Sequence, residues 1–161
     1  MWTPSRDGTL FLPYEPCDGN NGAPTLAAGT CERERLTTVP TILYVDDSPK
    51  ALRLLSSVFQ MCRYVVLTAD DPRKALAMAE TIEFDLAVFD YQLPHMSGVA
   101  LARHIRRLRP EVPLLLFSAM VTLPEDELGA VDEVVAKGES VDLLLNKVRR
   151  LLKLRGKSPS P

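Results

Sequence analysis

The feature that most constrains this chain is a set of short apolar runs, each stopped by a polar group with chemistry to offer. TILYVDD ends in Asp46 and Asp47, FDLAVFD in Asp90, VPLLLFS in Ser118 and VDEVVAK in Lys137. Runs of this length and composition read as buried strands. Between them the apolar spacing changes to three or four, that of one helix face. Ser48-Pro49 opens a first helix that buries Ala51, Leu55, Val58, Phe59 and Cys62. Serine is a capping residue, and proline suits the first helical position. A second strand, YVVLTA at 64–69, precedes Asp71-Pro72, the same device, and a helix burying Ala75, Leu76 and Met78 or Ala79. Ser97-Gly98 begins a third helix, which buries Leu101, Ile105 and Leu108 and stops before Pro110. TLPEDELGA at 122–130 leaves room for about two helical turns. A last helix starts at Ser140 and buries Val141, Leu144, Leu145, Val148 and Leu152.

The strands at 84–90 and 112–118 are nearly continuous apolar runs, the pattern of strands covered on both faces. Five strand–helix units with short connections imply an α/β fold, a parallel sheet with helices on both sides and right-handed crossovers. Ligands of such sheets bind at the carboxyl edge of the strands. Every polar residue named above belongs to that edge.

Composition allows one domain and narrows its company. The chain has 161 residues, is 46% apolar and carries a net charge of -2, which gives no argument for a nucleic-acid surface. No apolar run approaches the length that spans a membrane, and TLFLPYEP is too short and proline-broken for a targeting core. Cys17, Cys31 and Cys62 show no metal-like pairing, which fits a reducing cytoplasm. Residues 1–39 are rich in proline, glycine and threonine and show no helical or strand period. They read as a disordered or loosely attached extension. Residues 40–155 read as the folded domain and 156–161 as a polar tail. Cations along the last helix and the tail, Lys147, Arg149, Arg150, Lys153, Arg155 and Lys157, suit a helix carboxyl end and read as a solvated face. His95 and His104 read as exposed residues of a loop and a helix.

Adjacent carboxylates repel unless a cation sits beside them. Mg²⁺ suits one or two carboxylates together with phosphate oxygens and waters. Asp90 is then a third ligand or a nucleophile, since aspartate can attack a phosphoryl group to give an acyl phosphate. Ser118 can donate to a phosphoryl oxygen, and Lys137 can pair with Asp90 and then with the phosphoryl group. Alone, a pair of aspartates is usually a solvated loop or a helix cap. The weight lies in four strand ends agreeing.

Residues 41–153 resemble a response-regulator receiver domain. ILYVDDSP at 42–49, YVVLTADDPRKAL at 64–76, FDLAVFDYQLPHMSG at 84–98, PLLLFSA at 113–119 and AKG at 136–138 carry the resemblance. The most specific stretch runs from Asp90 through Pro94 to Gly98. The resemblance implies a flavodoxin-like (βα)₅ fold with strand order 2-1-3-4-5. It implies that Asp90 accepts a phosphoryl group from a sensor histidine kinase or phosphotransfer protein, as 4-aspartylphosphate. Asp46, Asp47, Asp90 and the main-chain carbonyl of Gln92 would hold Mg²⁺, with Ser118 and Lys137 at the family's hydroxyl and lysine positions. Phosphorylation would control an interaction with an unidentified downstream protein, without membrane or direct nucleic-acid contact and without an effector domain of its own.

Two departures bear on output. Where receivers usually carry an aromatic residue, three before the lysine, this chain has Val134. Only 18 residues separate Ser118 from Lys137, and the shortfall falls on the segment at 122–130. Switching is therefore expected through the loop from Ala119 to Leu123, with partners read by that loop or by the first and last helices. A pseudo-receiver that binds without switching is the alternative in the same fold. A small Mg²⁺-dependent phosphohydrolase using Asp90 is the alternative from another class. Gln92 offers that enzyme no general acid two residues after Asp90.

Overall fold

The computed structural model describes residues 39–119 and 129–155. Nine elements follow in order among these: β1 (Thr41–Val45), α1 (Pro49–Met61), β2 (Val65–Ala69), α2 (Pro72–Thr81), β3 (Leu86–Phe89), α3 (Gly98–Leu108), β4 (Leu114–Ser118), β5 (Glu133–Ala136) and α4 (Val141–Arg155). The strands form one sheet of order β2-β1-β3-β4-β5, with every neighbouring pair parallel. This is the order the family resemblance implies. The extension at 1–38, the loop at 120–123, most of the short segment at 122–130 and the tail at 156–161 lie outside the described residues.

Capping sets the helix starts where the sequence places them. Ser48, Asp71 and Ser97 each accept a backbone N–H from the first turn, and Pro49 and Pro72 sit just inside their helices. Such a cap contributes about 1 kcal/mol. The strands are one to three residues shorter than the runs the sequence marks, β3 most of all, because ladder pairing covers only their inner part.

The sheet is covered on both faces. Ala75 and Ala79 of α2 pack with Val99, Leu101, Ala102 and Ile105 of α3 against Leu43, Val45, Ala87, Phe89, Leu114 and Leu116. On the other face Leu55 and Phe59 of α1 and Leu144, Leu145, Val148 and Leu151 of α4 cover Ile42, Tyr44, Leu86, Val88, Leu115 and Val135. Alternate residues of each central strand feed opposite faces, so β3 is buried along its whole length. Two helix ends depart from the expected pattern. Leu108 and Val141 are exposed, each at an end of its helix, while Leu151 is buried with α4's inner face. Of the helix cations expected to be solvated, Lys147 and Arg150 instead pair with Glu133 of β5. Cys62 is half-buried against the α1–α4 side. Among the described residues no helix is long and apolar enough to cross a membrane.

One glycine fixes the loop that follows β3. Gly98 begins α3 directly beneath Asp90, and its N–H donates to the Tyr91 carbonyl at 2.8 Å. A Cβ there would overlap the Asp90 carbonyl oxygen and approach the Asp90 carbonyl carbon to 2.9 Å and Leu116 Cδ1 to 3.1 Å. Backbone cannot move aside as a flexible side chain can. Gly98→Ala is expected to lower stability by about 1–3 kcal/mol, the range of overpacking in a filled core. Urea unfolding of the two proteins measures this; equal midpoints and slopes would show the loop to be pliant.

Candidate functional site

The sheet ladder itself assembles the site. In register, Val45 lies beside Phe89, and Ser118 beside Ala136. One residue further on, the Asp90 N–H donates to the Val45 carbonyl at 2.9 Å and the Lys137 N–H to the Ser118 carbonyl at 2.7 Å. Asp46 is tied to the neighbouring edge strand through its N–H to the Ala69 carbonyl at 3.2 Å. These bonds bring the carboxyl ends of β1, β3, β4 and β5 side by side. Asp46, Ser118 and Asp90 are all buried there.

One carboxylate oxygen each from Asp46, Asp47 and Asp90 lies within 4.8 Å of the others. That spacing suits a small hard cation whose shell is completed by water and by phosphate oxygens. Burial separates this cluster from an ordinary acidic surface, since ionised carboxylates are rarely withdrawn from water without compensation. Compensation comes from Lys137. Its Nζ reaches from β5 across the end of β4 to Asp90 Oδ2 at 2.8 Å and Asp46 Oδ2 at 2.9 Å. It also stands 5.9 Å from the centre of the Phe117 ring.

Asp46 is the most firmly held of the three. Oδ1 accepts the Ser48 N–H at 2.9 Å. Oδ2 accepts the Tyr44 hydroxyl at 2.8 Å besides Lys137. Tyr44 precedes Asp46 by two positions on a strand, so both side chains leave the same face of the sheet. Burial, and then the charge of Asp46, push the Tyr44 phenol far above its ordinary value, so it stays a donor. Burial acts to lower Lys137, but its bonds to Asp90 and Asp46 outweigh this and raise it above the usual lysine range. Asp47, by contrast, is exposed and has no hydrogen-bond partner among the described residues.

The sequence places Asp46, Asp47, Asp90, Ser118 and Lys137 at one edge, and the structure gathers all five there. Gln92 is exposed in the following loop, bridged to Ser97 in a single antiparallel pair. His95 sits in the same loop with φ of 68°, in the left-handed region, and is exposed, as is His104. Tyr44 has no role assigned from the sequence; its two-residue spacing from Asp46 is the signal that points to it. Gly98 closes the most specific stretch of the sequence, but its contact with the Asp90 backbone depends on tertiary approach.

The family described as response regulator receiver domain matches residues 42–149. The chain belongs to that family. Among curated proteins, the probable transcriptional regulatory protein TcrX of Mycobacterium tuberculosis is 31% identical over 120 residues, covering 72% of this chain and 51% of that protein. A protein-glutamate methylesterase/protein-glutamine glutaminase of Hahella chejuensis is 33% identical over 129 residues, covering 74% of this chain and 32% of that protein. This receiver chain thus spans about half or less of the length of these curated relatives. Among solved structures, the response regulator TrrA of Thermotoga maritima, in complex with Mg²⁺ and beryllofluoride, is 32% identical. It covers 70% of this chain and 99% of its own, with a TM-score of 0.67. A CheY-like receiver of Methanospirillum hungatei is 28% identical, covers 74% and 98%, and has a TM-score of 0.70.

The protonation of Lys137 and Tyr44 gives the receiver a pH signature. Both groups titrate higher in the folded chain than in the unfolded one, where the reference values are 10.5 and 10.0. Folding therefore favours their protonated forms. That stability is complete below about pH 10 and is lost as pH rises through the folded values. Denaturant unfolding of the metal-free protein between about pH 9 and about pH 11 is expected to show falling stability, with a smaller fall in Tyr44→Phe. A wild-type curve parallel to the variant's would contradict this.

Proposed function

We propose that this receiver accepts a phosphoryl group on Asp90, in a Mg²⁺-dependent reaction with a histidine kinase or phosphotransfer protein, and that the modification controls binding to a further protein. The observation that carries the reading is the joint grip of Lys137 on Asp46 and Asp90 beside a third acid. The complex of TrrA with Mg²⁺ and beryllofluoride supports the same chemistry for a relative.

Asp47, Asp90, the Gln92 carbonyl and Asp46 would hold the cation, which when bound offsets the repulsion between Asp90 and an incoming phosphoryl group. Asp90 supplies the attacking carboxylate oxygen. The new bond joins that oxygen to phosphorus as the bond from phosphorus to the donor breaks, and the electron pair leaves with the donor. Lys137 gives up its ion pair with Asp90 and pairs with the transferred group, while Ser118 donates to one of its oxygens. Gly98 and the cap at Ser97 fix the loop carrying Gln92. The cytoplasm is the compartment this reading implies. A phosphohydrolase reading gains nothing from the site, because Gln92 cannot act as an acid.

Two variants test the assignment. Asp90→Asn should abolish labelling by acetyl phosphate and binding of beryllofluoride in the presence of Mg²⁺, read by mass spectrometry and fluorine NMR. Retained labelling would move the acceptor elsewhere. Asp47→Ala should weaken Mg²⁺ binding about tenfold or more while leaving metal-free stability equal or higher, because an exposed, unpartnered charge is removed from a repulsive cluster. A markedly destabilised metal-free variant would assign Asp47 a structural task instead.

A further inference from the structure

The ion pairs of Lys137 raise a question about Asp46. Its carboxylate is fully buried, and Oδ2 accepts from Lys137 Nζ at 2.9 Å and from the Tyr44 hydroxyl at 2.8 Å. A single ammonium cannot hold Asp46, Asp90 and a phosphoryl group equally well. When Lys137 turns to the phosphoryl group, Oδ2 would keep only the Tyr44 hydroxyl as a donor, on a carboxylate with no exposed surface. A buried acceptor that loses its partner keeps the cost of its desolvation.

Tyr44 is built to prevent this. Its ring is fully buried and meets Phe59 of α1 edge to face, with centroids 6.3 Å apart and planes at 87°. Phe59 in turn meets Tyr64 edge to face at 6.4 Å. Both ring contacts fix the phenol's direction, and the strand fixes its height relative to Asp46. No rotation of Lys137 disturbs them.

We infer that Tyr44 is a positioning residue for the phosphoryl reaction, holding Asp46 in place as Lys137 transfers from Asp46 to the phosphoryl group. This rests on the phospho-acceptor reading of Asp90. Without the hydroxyl, Oδ2 of Asp46 depends on Lys137 alone and holds it more tightly. Release of the lysine then costs more, and the phosphorylated state is disfavoured. Binding of Mg²⁺ alone does not require that release and is not weakened.

Tyr44→Phe keeps the ring and its packing on Phe59. Titrate the full chain and this variant with Mg²⁺, then with beryllofluoride at saturating Mg²⁺, following fluorine and amide resonances. Expected is beryllofluoride binding about tenfold weaker in the variant, equivalent to about 1.4 kcal/mol, with Mg²⁺ affinity unchanged within about twofold or tighter. In the wild type, the Tyr44 hydroxyl proton, assigned by its loss in the variant, should move downfield when beryllofluoride binds, as the phenol becomes the main donor to Oδ2. Equal beryllofluoride affinity in both proteins overturns the inference. So does parallel weakening of Mg²⁺ and beryllofluoride, which would mark Tyr44 as packing alone, and so does an unmoved hydroxyl proton. A wild type that binds Mg²⁺ but not beryllofluoride overturns the acceptor reading of Asp90 itself.

Discussion

Everything at the carboxyl edge of this sheet depends on one ammonium group serving two buried carboxylates. Asp46 and Asp90 end adjacent strands, and a parallel ladder gives them no means of avoiding each other. Lys137 must come from β5, two strands from β3, because only a long flexible stem spans the end of β4. The order of the strands therefore sets which residue type can stand at each end. Short side chains suffice at β1, β3 and β4, and a long cation is needed at β5.

The same interaction sets what a change of state at the proposed phospho-acceptor would require. A buried ion pair contributes little net stability when complete, because desolvation offsets most of its attraction, yet it is costly to break one-sidedly. A phosphoryl group changes the balance by offering Lys137 a more highly charged partner. Such a substitution works only if the carboxylates left behind keep donors. Asp46 has two besides Lys137, the Ser48 N–H at the cap of α1 and the Tyr44 hydroxyl. The start of α1 is thus part of the site as well as a helix cap.

Most of this was legible in the sequence, for a physical reason. Strands buried on both faces must be apolar throughout, so a polar residue at the end of each marks the edge without ambiguity. The serine and aspartate caps mark three helix starts in the same way, two of them followed by proline. Less legible were features set by approach in space. Leu108 and Val141 keep the helical period yet are exposed at their helix ends, because periodicity identifies a face and not how far it is covered. Glu133 with Lys147 and Arg150 is a pairing between strand and helix that no local spacing reveals. Gly98 stands out in the sequence as the end of the most specific stretch, but the reason for it, the approach of the Asp90 backbone, is visible only in space.

The two faces of the sheet differ in how they can transmit a change at Lys137. On the α2–α3 face the position three before the lysine is Val134, whose branched side chain has one restricted torsion and no ring to swing. On the α1–α4 face the aromatic residues are concentrated. Tyr44 contacts Asp46 and Phe59, and Phe117 lies beneath the lysine's cation. A largely apolar groove of about 310 Å³ opens there, bounded by Leu54, Leu55 and Val58 of α1 with Phe117 and Lys137. Lys137 forms part of one wall of that groove, with Val141 at the start of α4 beside it. Were Asp90 phosphorylated as proposed, a lysine drawn to the phosphoryl group would change that wall directly, so among the described residues α1 and the start of α4 would meet the change first.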